Sequence, residues 1–158
     1  MMIKRTYKQK AGIAAVAVAI AMPAEGLRQW WYYCPAGIVS ICYGSTGNVD
    51  KGRKYSMDEC KALLDAEMLH YVELVDRCQP GLPEPVLAAF ADAAYNIGPK
   101  VACGPGSTAA RLLKSRDYEA ACNQLPRWNK STVAGKSIEL AGLTKRRAQE
   151  QALCLTGA

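Results

Sequence analysis

A carboxyl, a thiol and a hydroxyl follow one another in the run EGLRQWWYYCPAGIVSICYGSTG, as Glu25, Cys34 and Ser40. A glutamic acid can give or take a proton, a thiol can attack or accept one, and a hydroxyl can orient a water molecule. Such a set suits a reaction in which one group protonates a leaving atom while others handle the attacking species. The surrounding residues are rich in aromatics and glycine and look like a hairpin. The run begins where an uncharged segment ends, so a means of controlling the chemistry sits beside the chemistry itself.

That uncharged segment is AGIAAVAVAIAMPA, Ala11 to Ala24, and it follows the basic residues Lys4, Arg5, Lys8 and Lys10. Basic residues before an apolar stretch are the pattern of an export signal. Signal-peptide cores run about 7–15 residues and comfortable membrane spans about 20. Ala19-Ile20-Ala21 would suit a signal peptidase, so a cleaved signal and a signal anchor both remain open. Alanine and glycine make up over half of the segment, so leaving a bilayer costs it less than a leucine-rich helix would pay.

Beyond it, Trp30 to Gly47 reads as a short β-hairpin region broken at Pro35-Ala36-Gly37 and Gly44-Ser45-Thr46-Gly47. Ser56 and Glu59 form a capping box that opens a helix carrying Cys60, Leu63, Leu64, Met68, Tyr71, Val72 and Val75. A second helix runs from Pro83-Glu84-Pro85 to the stop at Asn96-Ile97-Gly98-Pro99. Ser107 and Asp117 cap two short helices, Asn129 to Gly142 reads as a polar loop, and Thr144 opens a last helix with Ala148, Ala152 and Leu153 inward. A small β region followed by five or six helices is an α+β arrangement with segregated elements.

Composition narrows the function classes. Half of the 158 residues are apolar, which argues for one folded domain with a real core. The net charge of +6 is largely the four basic residues of the N-terminal tail, so no nucleic-acid-binding stripe is expected. Seven cysteines without a CxxC pair argue against a zinc ribbon and, beside an export signal, for disulfides in an oxidising compartment. No metal or cofactor is expected. Seven is odd, so at least one thiol is unpaired within the chain.

Taken together, the run at Glu25–Gly47, YSMDECKALL, AFADAAYNIG, QLPRW and GLTKRRAQEQALCL resemble the phage-type lysozymes (glycoside hydrolase family 24), and specifically the signal-arrest-release endolysins. The resemblance covers nearly everything after the uncharged segment. It implies a lysozyme-like α+β fold, with a small β-hairpin lobe and a mainly helical lobe, over residues 25–158. Residues 1–24 would be the signal-anchor or signal-peptide segment. It also implies a muramidase that cleaves the β-1,4 bond between N-acetylmuramic acid and N-acetylglucosamine in bacterial peptidoglycan. A water or a sugar hydroxyl could be the acceptor.

The family pattern of Glu, eight residues, Asp or Cys, five residues, Thr falls on Glu25, Cys34 and Ser40 with its spacing intact. Glu25 is then the acid, expected at the end of a helix against Trp30, Trp31 or Tyr32. Cys34 takes the water-handling position, where a mostly protonated thiol is a poorer acceptor than a carboxylate. Ser40 keeps the hydroxyl of the usual threonine but lacks the β-methyl that stiffens its rotamer. Ser45 stands where the family commonly has histidine, and His70, the only histidine, is expected to be structural or exposed.

Arg146 aligns with the arginine that supports the catalytic glutamate, with Arg147 as a rival. For the disulfides, Cys78–Cys103 would clip two helices together and Cys122–Cys154 would join late helices. Cys42–Cys60 then remains and leaves Cys34 free, although a Cys34–Cys42 bridge that locks the hairpin is an alternative. Partners implied are peptidoglycan, the host secretion machinery and the host inner membrane, the last through the N-terminal segment, with the periplasm as the site of action of a monomer. The changes at Cys34, Ser40 and Ser45 also admit a non-catalytic peptidoglycan-binding module of the same fold.

Overall fold

The computed structural model describes residues 4–158; the first three residues of the expected N-terminal segment lie outside the described residues. Chain order runs α1 (Tyr7–Ala24), β1 (Arg28–Tyr33), β2 (Val39–Cys42), β3 (Ser45–Thr46), α2 (Met57–Cys78), α3 (Glu84–Ile97) and α4 (Lys100–Cys103). It continues through α5 (Thr108–Lys114), α6 (Tyr118–Cys122), a 3-10 turn (Leu125–Arg127), β4 (Lys130–Val133), β5 (Lys136–Glu139) and α7 (Ala141–Leu155). The result is a lysozyme-like α+β fold with a helical lobe and two small antiparallel sheets.

Helix α3 is the axis of the helical lobe. Every residue from Val86 to Ala94 is buried, as expected of a helix enclosed on all sides. It packs against α1, α2 and α7. Its alanines leave little bulk, so the neighbouring helices approach closely around it.

The uncharged segment forms most of α1. A capping box starts the helix: Gln9 donates its backbone N–H to Thr6 Oγ1 at 3.2 Å, and Thr6 N–H donates to Gln9 Oε1 at 2.8 Å. Ile13, Ala14, Ala17, Val18 and Ala21 fall on one face and are buried against α2 and α3. Outside this face, Arg5 pairs with Asp76 and donates to the Leu82 carbonyl, while Lys10 lies 3.9 Å from Glu73. Among the described residues no helix is long and apolar enough to cross a membrane. The expected anchor segment is thus, in this structure, a component of the core.

In the β lobe the strand order is β1-β2-β3. Cys34 and Gly37 close the first turn, with Gly37 N–H donating to the Cys34 carbonyl at 2.8 Å. Pro35 follows Cys34, and Gly37 takes a φ of 76°, a left-handed conformation glycine adopts at no steric cost. Disulfides join Cys42 to Cys60, Cys78 to Cys103 and Cys122 to Cys154, and Cys34 is free. Cys42 therefore ties the hairpin to α2, and the alternative Cys34–Cys42 bridge does not form. Closing loops of 18, 25 and 32 residues contributes about 3–4 kcal/mol each on a chain-entropy basis.

Two sequence expectations change. Residues 130–139, read as loop, form a β4–β5 hairpin around Ala134 and Gly135, both at positive φ. The hairpin is exposed on almost all sides, so no hydrophobic alternation marks its strands. Helix α7 begins at Ala141, and its buried face is Arg146, Arg147, Glu150 and Cys154, with Ala148 and Ala152 outward. Charge pairing, not apolar content, decides which face of this helix turns inward.

Candidate active site

Glu25 is the residue at which α1 stops. Its backbone turns to the extended region and its N–H closes the last helical turn on the Ala21 carbonyl at 2.8 Å. The side chain enters a cleft of about 670 Å³ between the β lobe, α2 and the C-terminal end of α3. Tyr43, Gly44 and Thr46 line one wall, Glu67, His70 and Tyr71 the second, and Tyr95 and Asn96 the third. A second cavity of about 480 Å³, between the ends of α1 and α7, reaches Glu25 from the other side.

Arg146 holds Glu25 in place. Its Nη1 donates to Glu25 Oε1 at 2.6 Å, while Nε and Nη2 grip both Asp92 oxygens at 3.0 and 2.8 Å. Arg146 and Asp92 are buried and Glu25 is partly exposed at the cleft, so only the outer end of the chain meets solvent. A guanidinium presents donors in a rigid fork, which fixes the carboxyls in direction as well as distance. Burial alone would weaken the Arg146 charge, but hydrogen bonds and attraction from Asp92 and then Glu25 hold it well above its ordinary pKa.

Behind this chain lies a second one. Arg147 Nη2 donates to Glu150 Oε1 at 2.6 Å and to Asn96 Oδ1 at 2.8 Å. Glu150 is fully buried, and its Oε2 has no hydrogen-bond partner among the described residues. Burial, and after it the neighbouring Asp92, push the Glu150 carboxyl well above the usual range. A buried carboxyl whose charged form is disfavoured in this way keeps its proton more readily than a surface glutamate, so Glu150 adds less negative charge to the network than its residue type suggests.

The other two candidate residues stand together elsewhere. Ser40 is buried, pairs with Tyr32 across the sheet, and donates its hydroxyl to the Ile38 carbonyl at 3.0 Å. Cys34 is only partly covered at the end of β1. The Ile38 backbone first, then that of Ala36 and the Ser40 hydroxyl, hold its thiol below the ordinary value. Neither Cys34 nor Ser40 lines the cleft that contains Glu25.

The aromatic expectation also shifts. Tyrosines 43, 71 and 95 line the cleft with Glu25, not Trp30, Trp31 or Tyr32. The hairpin aromatics are engaged by cations instead, with Lys51 4.7 Å from the Trp31 ring and Arg28 4.6 Å from that of Tyr32. His70 is exposed, as expected, but it is also a cleft residue. Sequence reading passed over Asp92, Glu150, Glu67 and Asn96. Asp92 carried a usable signal, being a lone charge amid the alanines of a helix that had to be buried.

A helical lobe and a β hairpin enclosing a cleft, with a carboxyl fixed in it by a buried arginine, define a lysozyme-type protein. The Phage lysozyme family model matches residues 22–150, and the chain belongs to that family. It is 33% identical over 152 residues to the SAR-endolysin of Bacteriophage PS119, covering 92% of this chain and 87% of that protein. In three dimensions it is similar to the muramidase domain of SpmX from Asticaccaulis excentricus, with a TM-score of 0.80 and 28% identity. That match covers 90% of this chain and 97% of the other. It shares the fold of the active form of the P1 phage endolysin Lyz, at a TM-score of 0.76 and 22% identity, over 99% and 97% of the two chains.

Proposed function

We propose that this protein is an exported endolysin that hydrolyses the β-1,4 bond between N-acetylmuramic acid and N-acetylglucosamine in bacterial peptidoglycan. The observation that carries the reading is Glu25, placed in the cleft and gripped by Arg146 at 2.6 Å. Cavities reach Glu25 from two directions, which suits a chain substrate cut internally. In the reaction Glu25 gives its proton to the glycosidic oxygen as the bond to the anomeric carbon breaks. Water adds to that carbon from the opposite face and its proton passes to solvent. Cys34 and Ser40, which lie outside the Glu25 cleft, would orient it from the hairpin side of a bound glycan. The muramidase domain of SpmX and the endolysin relatives support the same substrate class.

Control follows from the position of Glu25 at the end of α1. Whatever holds α1 away from α2 and α3 also holds Glu25 away from Arg146 and the cleft. In this reading the N-terminal segment first directs export and rests in the host inner membrane. It then leaves the bilayer, with its alanine-rich composition keeping that cost low. Docking buries its apolar face in the helical lobe and completes the site in the periplasm. No cysteine lies in the segment, so docking needs no thiol from it.

The primary test is loss of turbidity of purified peptidoglycan with wild type and Glu25→Gln, together with reducing-end analysis of the products. Wild type should clear the suspension and create free reducing ends, and the variant should not. Equal and negligible clearance by both would favour a binding module, and 1,6-anhydro products would favour transglycosylation. For the control step, collapsing the membrane potential should move the protein from the membrane to the soluble periplasmic fraction. A protein that stays in the membrane would sink that part.

A further inference from the structure

Glu67 is a second carboxyl of the same cleft, and the mechanism above gives it no work. It lies on the α2 wall, among the residues that line the cavity with Glu25. It makes no ion pair among the described residues. Ser45 stands beside it, is 96% buried, and its hydroxyl completes no hydrogen bond among the described residues. A buried hydroxyl is thus left unsatisfied beside a carboxyl that opens on the cleft, which costs free energy unless a ligand or water held at Glu67 completes the pair.

We propose that Glu67, assisted by Ser45, is the receptor for a secondary amide of the substrate, the acetamido group of an N-acetylhexosamine. A neutral carboxyl has one donor and one acceptor side by side. An acetamido group has the complementary pair, a carbonyl oxygen and an N–H, so the two can meet through paired hydrogen bonds. An ionised carboxylate could only accept and would leave the carbonyl unmatched. Desolvation raises the Glu67 carboxyl above its ordinary value, so the neutral acid persists to higher pH than on a surface glutamate.

The groups around Glu67 are consistent with this. Tyr43 approaches from the β lobe, Tyr95 from α3, and His70 and Tyr71 from α2 itself. Glu25 stands across the cleft at the end of α1, with Arg146 of α7 committed to Glu25 and Asp92. Burial, then Glu67, then Glu25 raise the Tyr95 phenol, which places that hydroxyl within reach of both carboxyls' fields. No cation in this set is directed at Glu67.

The inference rests on the reading that the cleft takes a peptidoglycan glycan, and the test separates the two. Binding of N-acetylated chitotetraose and of cellotetraose, which has a hydroxyl in place of each acetamido group, is measured by calorimetry from pH 5 to 9. The proteins are wild type, Glu67→Gln and Glu67→Ala, each checked by circular dichroism. Wild type should prefer chitotetraose about tenfold, the weight of two ordinary hydrogen bonds. Glu67→Gln, whose amide also donates and accepts, should keep the preference, and Glu67→Ala should lose it. Wild-type preference should fall as pH rises while that of Glu67→Gln stays level.

Undiminished preference in Glu67→Ala, or the same pH profile in wild type and Glu67→Gln, overturns the proposal. If wild type fails to cut peptidoglycan but binds chitotetraose through Glu67, the hydrolase reading fails and this inference stands. If peptidoglycan is cut while Glu67→Ala binds as wild type does, only this inference fails.

Discussion

Glu25 and Cys34 are nine residues apart, yet they sit in surroundings of opposite kind. Glu25 is held by a buried guanidinium that is itself clamped to a buried carboxylate, in a region where three helices meet. Cys34 is at the end of a short strand beside a tight turn, partly covered, with a free thiol that meets the Ile38 and Ala36 backbone and the Ser40 hydroxyl. The difference suits the two tasks proposed for them. An acid must be in one place relative to the bond it protonates, whereas a water-handling group tolerates some adjustment. The helical side therefore has little room for substitution, and the hairpin side has more.

The largest break in that contrast should come from Arg146→Met. It leaves Asp92 fully buried without its ion-pair partner, a situation that costs about 3–5 kcal/mol. At this chain length the melting temperature should fall by on the order of 10 °C. Peptidoglycan clearance should fall even at temperatures where the variant remains folded, because Glu25 loses its anchor. Arg146→Lys should recover part of the stability but not the activity, since one ammonium cannot grip Asp92 with two donors and reach Glu25 as well. A lysine variant with full activity would show that the fork geometry is irrelevant.

On the hairpin side, Cys34→Ala should fold normally, because the thiol is in no disulfide and is not buried in the core. If the thiol orients water, kcat should drop about 10²-fold, at the lower end for a positioned proton-handling group. Cys34→Asp should equal or exceed wild type, a carboxylate being the stronger acceptor. Steady-state clearance rates of the three proteins, with melting curves alongside, decide the matter. Unchanged rates in Cys34→Ala would remove Cys34 from the reaction and leave Glu25 acting with Ser40 alone.

This contrast explains what the sequence made legible. The β lobe, the capped helix α2 and the buried α3 follow from turn residues, capping boxes and spacing, which act locally, whereas the disulfide pairing stayed open until the fold brought Cys42 to Cys60 and left Cys34 free. Glu25 and Arg146 were legible because the family motifs bring them together, although 121 residues separate them. The charged face of α7 was not, because apolar periodicity assigns alanines inward, and only Asp92 on another helix reverses that choice. Glu67 was hidden for a similar reason: nothing in its own helix marks it as a cleft residue. The last hairpin escaped because both of its faces are wet and carry no burial pattern.

Glu150 offers a quieter probe of the helical side. Its folded-state pKa is raised, so folding favours the protonated form. The stability tied to that proton is fully present below the ordinary glutamate range and is lost as pH rises through the folded value. Wild type should therefore lose stability progressively into the alkaline range. Glu150→Gln, which keeps an amide acceptor beside Arg147 and cannot ionise, should show a flatter curve. Melting temperatures from pH 5 to 10 would check this, and parallel curves would mean that Glu150 is already ionised and balanced by Arg147.

The smallest effect belongs to Ser40→Thr, which tests how adjustable the hairpin side is. Ser40 is buried in β2, pairs with Tyr32 and Thr46 across the sheet, and its hydroxyl already bonds the Ile38 carbonyl. A β-methyl would restrict χ1, and β-branched residues suit a strand, so the hydroxyl would be held more firmly. Activity should rise about twofold with the melting temperature nearly unchanged. The competing cost is overpacking, since a buried position with no spare volume resists one added methyl. A drop in melting temperature with unchanged kcat would mean that the hairpin is as tightly fitted around Ser40 as the helices are around Asp92. In that case the tolerance of the hairpin side would be confined to the turn at Cys34.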